Sequence, residues 1–100
     1  MADPALVMGL AETLILTTGD ENPRYTVELL GAVDAMRQRE GRPREPVINA
    51  DLGPRLEQLR QAVPAAQWDH CYRNGSQRTV EDLLVNSQID ADNQDPLRHP

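Results

Sequence analysis

The amino-acid sequence predicts a mainly all-α protein, a compact bundle of four to five short helices. The clearest helical period lies in residues 49–85, where apolar residues recur at steps of four, three and four, at Leu52, Leu56, Leu59 and Val63. Thr79 precedes a further apolar run and is a good N-cap for a last short helix. With one Trp, two Tyr and no Phe, the core must consist mostly of aliphatic side chains.

The first helix is predicted over residues 5–16. Asp3 and Pro4 form an N-cap and first-turn pair in front of a strongly apolar run. Three leucines in this run are spaced by four residues and therefore share one face of the helix: Leu6, Leu10 and Leu14. The run is apolar enough to be buried on more than one side.

The residues at the end of that helix allow a second interpretation. Residues 13–18 also have the composition of a strand, and a turn at residues 19–23 would pair them with residues 24–29 as a β-hairpin. Residues 13–29 are therefore either helical or a hairpin, and we prefer the helical interpretation. Residues 19–23 form a loop in both interpretations.

A second helix is predicted to start at Thr26 as its N-cap. Its apolar face consists of four residues: Leu29, Leu30, Val33 and Met36. Gly41 provides a favourable C-terminal end. Residues 42–46 are a polar, proline-rich connector, and Val47-Ile48 is predicted as a one-rung strand.

The third helix is predicted to start at Asn49 as its N-cap, with Pro54 tolerated in the first turn. Pro64 should end this helix or begin the next. A fourth helix then runs over residues 64–74, and Gly75 is predicted as its left-handed C-terminal residue.

Charge is unevenly distributed along the chain. The net charge is -6, and no Lys is present. Residues 1–23 and residues 80–100 each carry -4, whereas the middle of the chain carries +2. We predict one helical domain over residues 1–87 and a flexible, disordered acidic tail over residues 88–100.

The composition also indicates the cellular compartment. A single Cys excludes an internal disulfide and fits a reducing environment. No apolar run approaches the roughly 20 residues of a membrane span, and Asp3 stands where a signal peptide would carry positive charge. We therefore expect a cytoplasmic protein with no membrane association.

The sequence offers few candidates for catalysis. Asp69, His70 and Cys71 are residue types used in nucleophilic catalysis, but neighbours on a helix point about 100° apart. We expect Cys71 to be buried or half-buried and His70 to face water. Residues 90–95 lack the central Gly and distal Glu of a calcium loop. No enzyme, metal site or cofactor is predicted.

Residues 25–85 resemble the OST-HTH or LOTUS family of winged-helix domains. The resemblance is carried by the order of several motifs: Leu29, Leu30 and Val33 on one helix, a Gly/Pro break, the segment Val47 to Gly53 leading into a helix, Pro64 before Trp68 and Asp69, then Tyr72 to Gly75, and Thr79 to Leu84. The resemblance implies a winged-helix arrangement and a non-catalytic role in binding nucleic acid or protein. It also implies five arginines as nucleic-acid contacts: Arg42, Arg44, Arg55, Arg73 and Arg78.

Two functions follow from these observations. The preferred hypothesis is a small non-catalytic regulatory protein, an inhibitor, antiactivator or adaptor, that binds another protein and forms a homodimer. The predicted partner-binding residues are Leu6, Leu10, Leu14, Trp68 and Tyr72; for the two aromatic residues, packing in the core is preferred to stacking on a nucleic-acid base. The alternative is a winged-helix-like module that binds RNA or DNA, which the acidic charge disfavours.

Overall fold

The structure is a computed structural model that describes residues 3–17 and 22–85. It contains, in order, α1 (Pro4–Thr17), α2 (Pro23–Glu40), α3 (Pro46–Ala62), α4 (Ala65–Ser76) and a short segment, α5, at residues 80–85. No strand occurs within the described ranges. The predicted mainly α-helical bundle is confirmed. The hairpin alternative is wrong, because residues 13–17 belong to α1 and residues 23–29 to α2.

A proline at the first helical position starts three of the helices. Pro4, Pro23 and Pro46 each occupy a site where the missing N–H would have no partner inside the helix. The side chain of Asp3 accepts a hydrogen bond from the Ala5 amide at 3.0 Å. Asn22 likewise accepts one from the Tyr25 amide at 3.2 Å, so it caps α2.

The predicted N-caps of α2 and α3 were each four residues late, because the observed caps are Asn22 and Glu45. Thr26 is buried inside α2, and its hydroxyl donates to the backbone carbonyl of Asn22 at 3.3 Å. Asn49 lies inside α3, and the predicted strand at residues 47–48 is wrong because both residues are helical. Pro54 consequently falls in the helix interior rather than the first turn. Proline at the helix start outweighed the later capping signals.

The predicted end of α2, the break after α3 and the predicted N-cap of α5 agree with the structure. Gly41 ends α2 in the left-handed region, with φ at 64°, and its N–H donates to the carbonyls of Arg37 and Gln38. Pro64 separates α3 from α4 as predicted. The hydroxyl of Thr79 accepts a hydrogen bond from the Asp82 amide at 3.0 Å, which confirms Thr79 as the cap of α5.

The second helix, α2, is the centre of the core. Seven of its residues between positions 26 and 33 are buried, on all sides of the helix, and α1, α3 and α4 all pack against it. The main aliphatic contributions from the other elements are Met8, Ala11, Ile15, Leu52, Leu59, Val63, Val80 and Leu83. The hydroxyl of Tyr25 donates to the backbone carbonyl of Leu83 at 2.9 Å and ties α5 to the start of α2.

α2 and α4 pack closely against each other at two glycines. A Cβ atom on Gly31 would overlap the backbone carbonyl of Tyr72, and one on Gly75 would overlap the backbone of Glu28. The prediction that Gly75 is a left-handed terminal residue is wrong, because Gly75 is buried within α4. Close approach of two backbones, rather than a positive φ, requires glycine there.

Several predictions concern residues outside the described ranges. These are the acidic tail at residues 88–100, the domain boundary at residue 87, the calcium-loop comparison at residues 90–95, and most of the loop at residues 19–23. Among the helices that the structure does describe, none has both the length and the apolar character needed to cross a bilayer.

We predict that Gly31→Ala destabilises the protein by more than about 2 kcal/mol, because the added methyl group meets backbone that cannot move aside. Chemical denaturation monitored by circular dichroism measures the change. Gly9→Ala is the matched control, since nothing lies within 4 Å of its added Cβ. That control should stabilise by about 0.5–1 kcal/mol through its higher helix propensity. Equal effects of the two substitutions would contradict the close α2–α4 contact.

Candidate interaction surface

The side of α1 that faces away from the core carries large exposed apolar residues. Leu6 is 71% exposed and Leu10 is 52% exposed. Since successive residues rotate by about 100° around a helix, Thr13 and Thr17 lie on the same side, and both are exposed. We call these four residues the α1 outer face. Leu14 is half-buried and packs against the core, so it lies at the margin of this face.

The two threonines add little polarity to the α1 outer face. The hydroxyl of Thr13 donates to the carbonyl of Gly9 at 2.9 Å, and that of Thr17 donates to the carbonyl of Thr13 at 2.8 Å. Their donors are therefore satisfied within the helix. The only ionisable side chain in α1 is Glu12, which points to the opposite side. The α1 outer face is consequently an uncharged, largely apolar surface.

Glu12 attaches the inner side of α1 to the rest of the molecule. Its side chain is buried, with 2% of the residue exposed, and both of its oxygens are engaged by Arg37, at 2.5 and 2.6 Å. Arg44 donates from Nε to the same carboxylate at 2.5 Å. One buried negative charge thus meets two guanidinium groups, so this side of α1 cannot turn towards water without breaking three charged hydrogen bonds.

The network extends from Glu12 to α4. Arg44 also forms an ion pair with Asp34, and the second oxygen of Asp34 accepts a hydrogen bond from the Tyr72 hydroxyl at 2.7 Å. Burial and the Asp34 carboxylate raise the pKa of Tyr72 to about 12. Arg37 also donates to the carbonyl of Arg42 at 3.0 Å, which fixes the connector between α2 and α3. These contacts join α1, α2, the connector and α4.

The pKa of Glu12 results from two opposing effects. Burial of the carboxyl group acts to raise its pKa, but the hydrogen bonds and positive charges of Arg37 and Arg44 outweigh burial. The pKa therefore lies below the ordinary value of 4.5. Glu12 is ionised at neutral pH, as its salt bridges require.

A second arginine contact holds the C-terminal turn of α1. Arg55 in α3 is only 8% exposed, and its Nε donates to the backbone carbonyl of Ile15 at 2.9 Å. The last carbonyls of a helix lack partners inside the helix, so this hydrogen bond satisfies one of them. A further N–H of Arg55 donates to the Gln58 side chain at 3.1 Å.

The five arginines implied by the winged-helix resemblance lie in different environments. Arg44 and Arg55 point into the protein and bind the carboxylates and backbone described above. The remaining three are exposed: Arg42, Arg73 and Arg78. Two of the five predicted nucleic-acid contacts are therefore committed to internal interactions.

Trp68 and Tyr72 lie apart from the α1 outer face. Trp68 is 7% exposed, and the guanidinium carbon of Arg60 lies 4.5 Å from the centre of its ring system. Tyr72 is half-buried and reaches the network that ends at Glu12, on the opposite side of α1 from Leu6 and Leu10. The structure therefore divides the predicted partner-binding residues between two places.

The candidate catalytic residues also point in different directions. As expected, Cys71 is buried, at 5% exposed, and His70 faces solvent. Burial raises the pKa of the Cys71 thiol, and the negative charge of Glu28 adds to this effect. Among the described residues, no three His, Cys, Asp or Glu side chains come together as a metal site.

Comparison of the chain with protein-family models, curated proteins and solved structures found no match. The assignment of this site therefore depends on its geometry. Sequence reasoning missed Glu12, Asp34 and Arg37, which orient α1. A signal for Glu12 was present, since it is the only charged residue in the apolar run of residues 5–16.

We predict that Glu12→Gln lowers the free energy of unfolding at neutral pH by about 3 kcal/mol, because it leaves the part-buried guanidinium group of Arg37 without an anion and leaves Arg44 with Asp34 alone. The stability that Glu12 contributes is present above its unfolded pKa of about 4.5 and is lost as pH falls through the lower pKa of the folded state. Denaturation midpoints between neutral pH and acid should therefore fall less steeply in the variant.

Glu57→Gln is the matched control, because Glu57 is exposed on α3. It should change stability at neutral pH by less than about 0.5 kcal/mol. If Glu12→Gln behaves like this control, the buried network does not stabilise the fold as described.

Proposed function

We propose that this chain is a small, non-catalytic regulatory protein that binds another protein through the α1 outer face, acting as an inhibitor, antiactivator or adaptor. The observation that carries the proposal is the exposure of Leu6 and Leu10 on an uncharged helix side. An apolar strip on one face of a helix is the feature that docks into an apolar groove of a partner.

The shape of the α1 outer face favours a partner with a groove over a partner with a flat binding surface. α1 has 14 residues, so it is about 21 Å long, and one exposed side of a helix is about 10 Å wide. Such a strip is far smaller than the roughly 800 Å² per partner of a stable interface. A groove that also covers the flanks of α1 would bury more surface than a flat contact.

A homodimer through the same face is part of this proposal. Two copies each carrying a net charge of -6 repel each other, but the α1 outer face itself adds no charge to that repulsion. Because the strip is small, a dimer formed by α1 alone would be weak and would appear only at high protein concentration. We place the protein in the cytoplasm, where a single buried thiol such as Cys71 stays reduced.

The nucleic-acid alternative has less support. Binding to phosphates requires a face of available positive charge, and Arg44 and Arg55 already bind groups within the protein. The exposed Arg42, Arg73 and Arg78 belong to a chain with an overall charge of -6.

We predict that the double substitution Leu6→Asp with Leu10→Asp abolishes partner binding and leaves the fold intact. Both leucines are exposed, so the change in stability should be below about 1 kcal/mol. The measurement is capture from the lysate of the native host, with and without nuclease, followed by quantitative mass spectrometry. A protein that the wild type retains after nuclease treatment and the double variant loses would support the proposal.

Val47→Asp is the matched control, because Val47 is 70% exposed but lies on α3. It should retain the partner. If the double variant captures the same proteins as the wild type, the α1 outer face is not the binding surface. Capture that depends on nucleic acid would favour the alternative function.

We also expect weak self-association in the wild type, seen as a molar mass that rises with concentration in light scattering coupled to size exclusion. Leu6→Asp with Leu10→Asp should remain a monomer of 11.2 kDa at the same concentrations. A wild type that stays monomeric throughout would remove the homodimer from the proposal.

A further inference from the structure

A groove between α2, α3 and α4 lies apart from the α1 outer face. Its volume is about 580 Å³. The apolar part of its lining includes Leu30 and Leu56, and Trp68 and Tyr72 line it from α4. Leu30 is nearly fully buried and Leu56 is half-buried. Leu56 and the half-buried Tyr72 are therefore the apolar side chains against which an aliphatic side chain can pack in the groove.

The polar lining of the groove carries a surplus of available positive charge. Arg44 and Asp34 also line it, but they are already paired with each other, with Glu12 and with Tyr72. This leaves three exposed charged residues on the rim: Arg60, Arg73 and Asp69. Within residues 3–17 and 22–85, neither of these two arginines forms an ion pair with a carboxylate. The rim thus offers two guanidinium groups against one carboxylate.

Arg60 lies over an aromatic ring at the rim. Its guanidinium carbon is 4.5 Å from the centre of the Trp68 ring. A guanidinium group stacked on an aromatic ring has its N–H groups directed outward in its own plane, where they match the two oxygens of a carboxylate. Less conformational entropy is lost when such a preorganised group binds its ligand.

We propose that this groove is a second binding site, which takes an acidic peptide segment of a partner protein. An aliphatic side chain of the segment contacts Leu56 and Tyr72, and a neighbouring Asp or Glu carboxylate binds Arg60 and Arg73. The combination of an apolar lining with a positive rim fits such a segment better than a uniformly charged ligand. The inference is independent of the function proposed for α1.

The stacking of Arg60 also argues against a nucleotide in this groove. Binding of a base by stacking requires an open aromatic face. Trp68 is 7% exposed and Arg60 covers its ring, whereas Tyr72 is half-buried and directs its hydroxyl to Asp34. The larger aromatic ring of the groove, that of Trp68, is therefore not open to a base.

The experiment uses the fluorescence of Trp68, the single Trp of the chain, which lines the groove. The full chain is titrated with a short synthetic peptide in which Leu and Ile alternate with Glu and Asp. We expect a saturable change in Trp68 emission. A second peptide, with Gln and Asn in place of the acids, should bind at least about tenfold more weakly.

Arg73→Glu should weaken binding of the acidic peptide by about tenfold or more, because it reverses a charge at the rim. Arg39→Glu is the matched control: Arg39 is exposed near the end of α2 and does not line the groove, so affinity should be unchanged. Leu6→Asp with Leu10→Asp should also leave peptide affinity unchanged, which separates this site from the α1 outer face.

Five results would overturn the proposal. The first four are the absence of a saturable change in Trp68 emission, equal binding of the neutral peptide, equal loss of affinity in the Arg39 and Arg73 variants, and Arg73-dependent binding of single-stranded RNA in place of the peptide. A fifth is binding that appears only after Asp90, Asp92 and Asp95 are changed to Asn, because the occupant would then be the acidic end of this chain itself.

Discussion

The buried carboxylate of Glu12 is the contact on which the arrangement of this molecule depends. α1 is apolar on nearly every side, so hydrophobic burial alone would allow several of its faces to pack against α2. A buried carboxylate removes that freedom, since it must meet Arg37 and Arg44 or remain uncompensated at a cost of several kcal/mol. The same arginines hold the connector and reach Asp34. The network thus selects one orientation of α1, because any other orientation would leave the carboxylate and its arginines without their partners.

That selection determines which apolar residues face solvent. With Glu12 turned inward and Arg55 bound to the C-terminal turn of α1, Leu6 and Leu10 remain outside. The chain has few large apolar residues, and most of them are needed in the core. Keeping two leucines exposed on a helix with no outward charge is therefore the feature that most needs a functional explanation, and partner binding provides one.

The α2–α4 contact has a comparable effect on the other side of the molecule. Gly31 and Gly75 allow the two backbones to approach closely, which brings Tyr72 to Asp34 and places Trp68 beneath Arg60. The groove with its positive rim results from that approach together with the position of α3. Two surfaces of different chemistry, one apolar and one basic, are thus positioned around the same central helix.

The sequence by itself determined the helical class, the left-handed Gly41, the break at Pro64 and the cap at Thr79, because each depends on a residue's own backbone preference or on near neighbours. It also contained the starts of α2 and α3, since the pattern that opens α1, a polar residue followed by proline at Asp3-Pro4, recurs as Asn22-Pro23 and Glu45-Pro46. Only the tertiary structure decided the roles of Glu12, Arg44, Arg55 and Gly75. Each of them has a partner that lies 25 to 47 residues away along the chain, and no local pattern specifies which distant group a side chain or a backbone will meet.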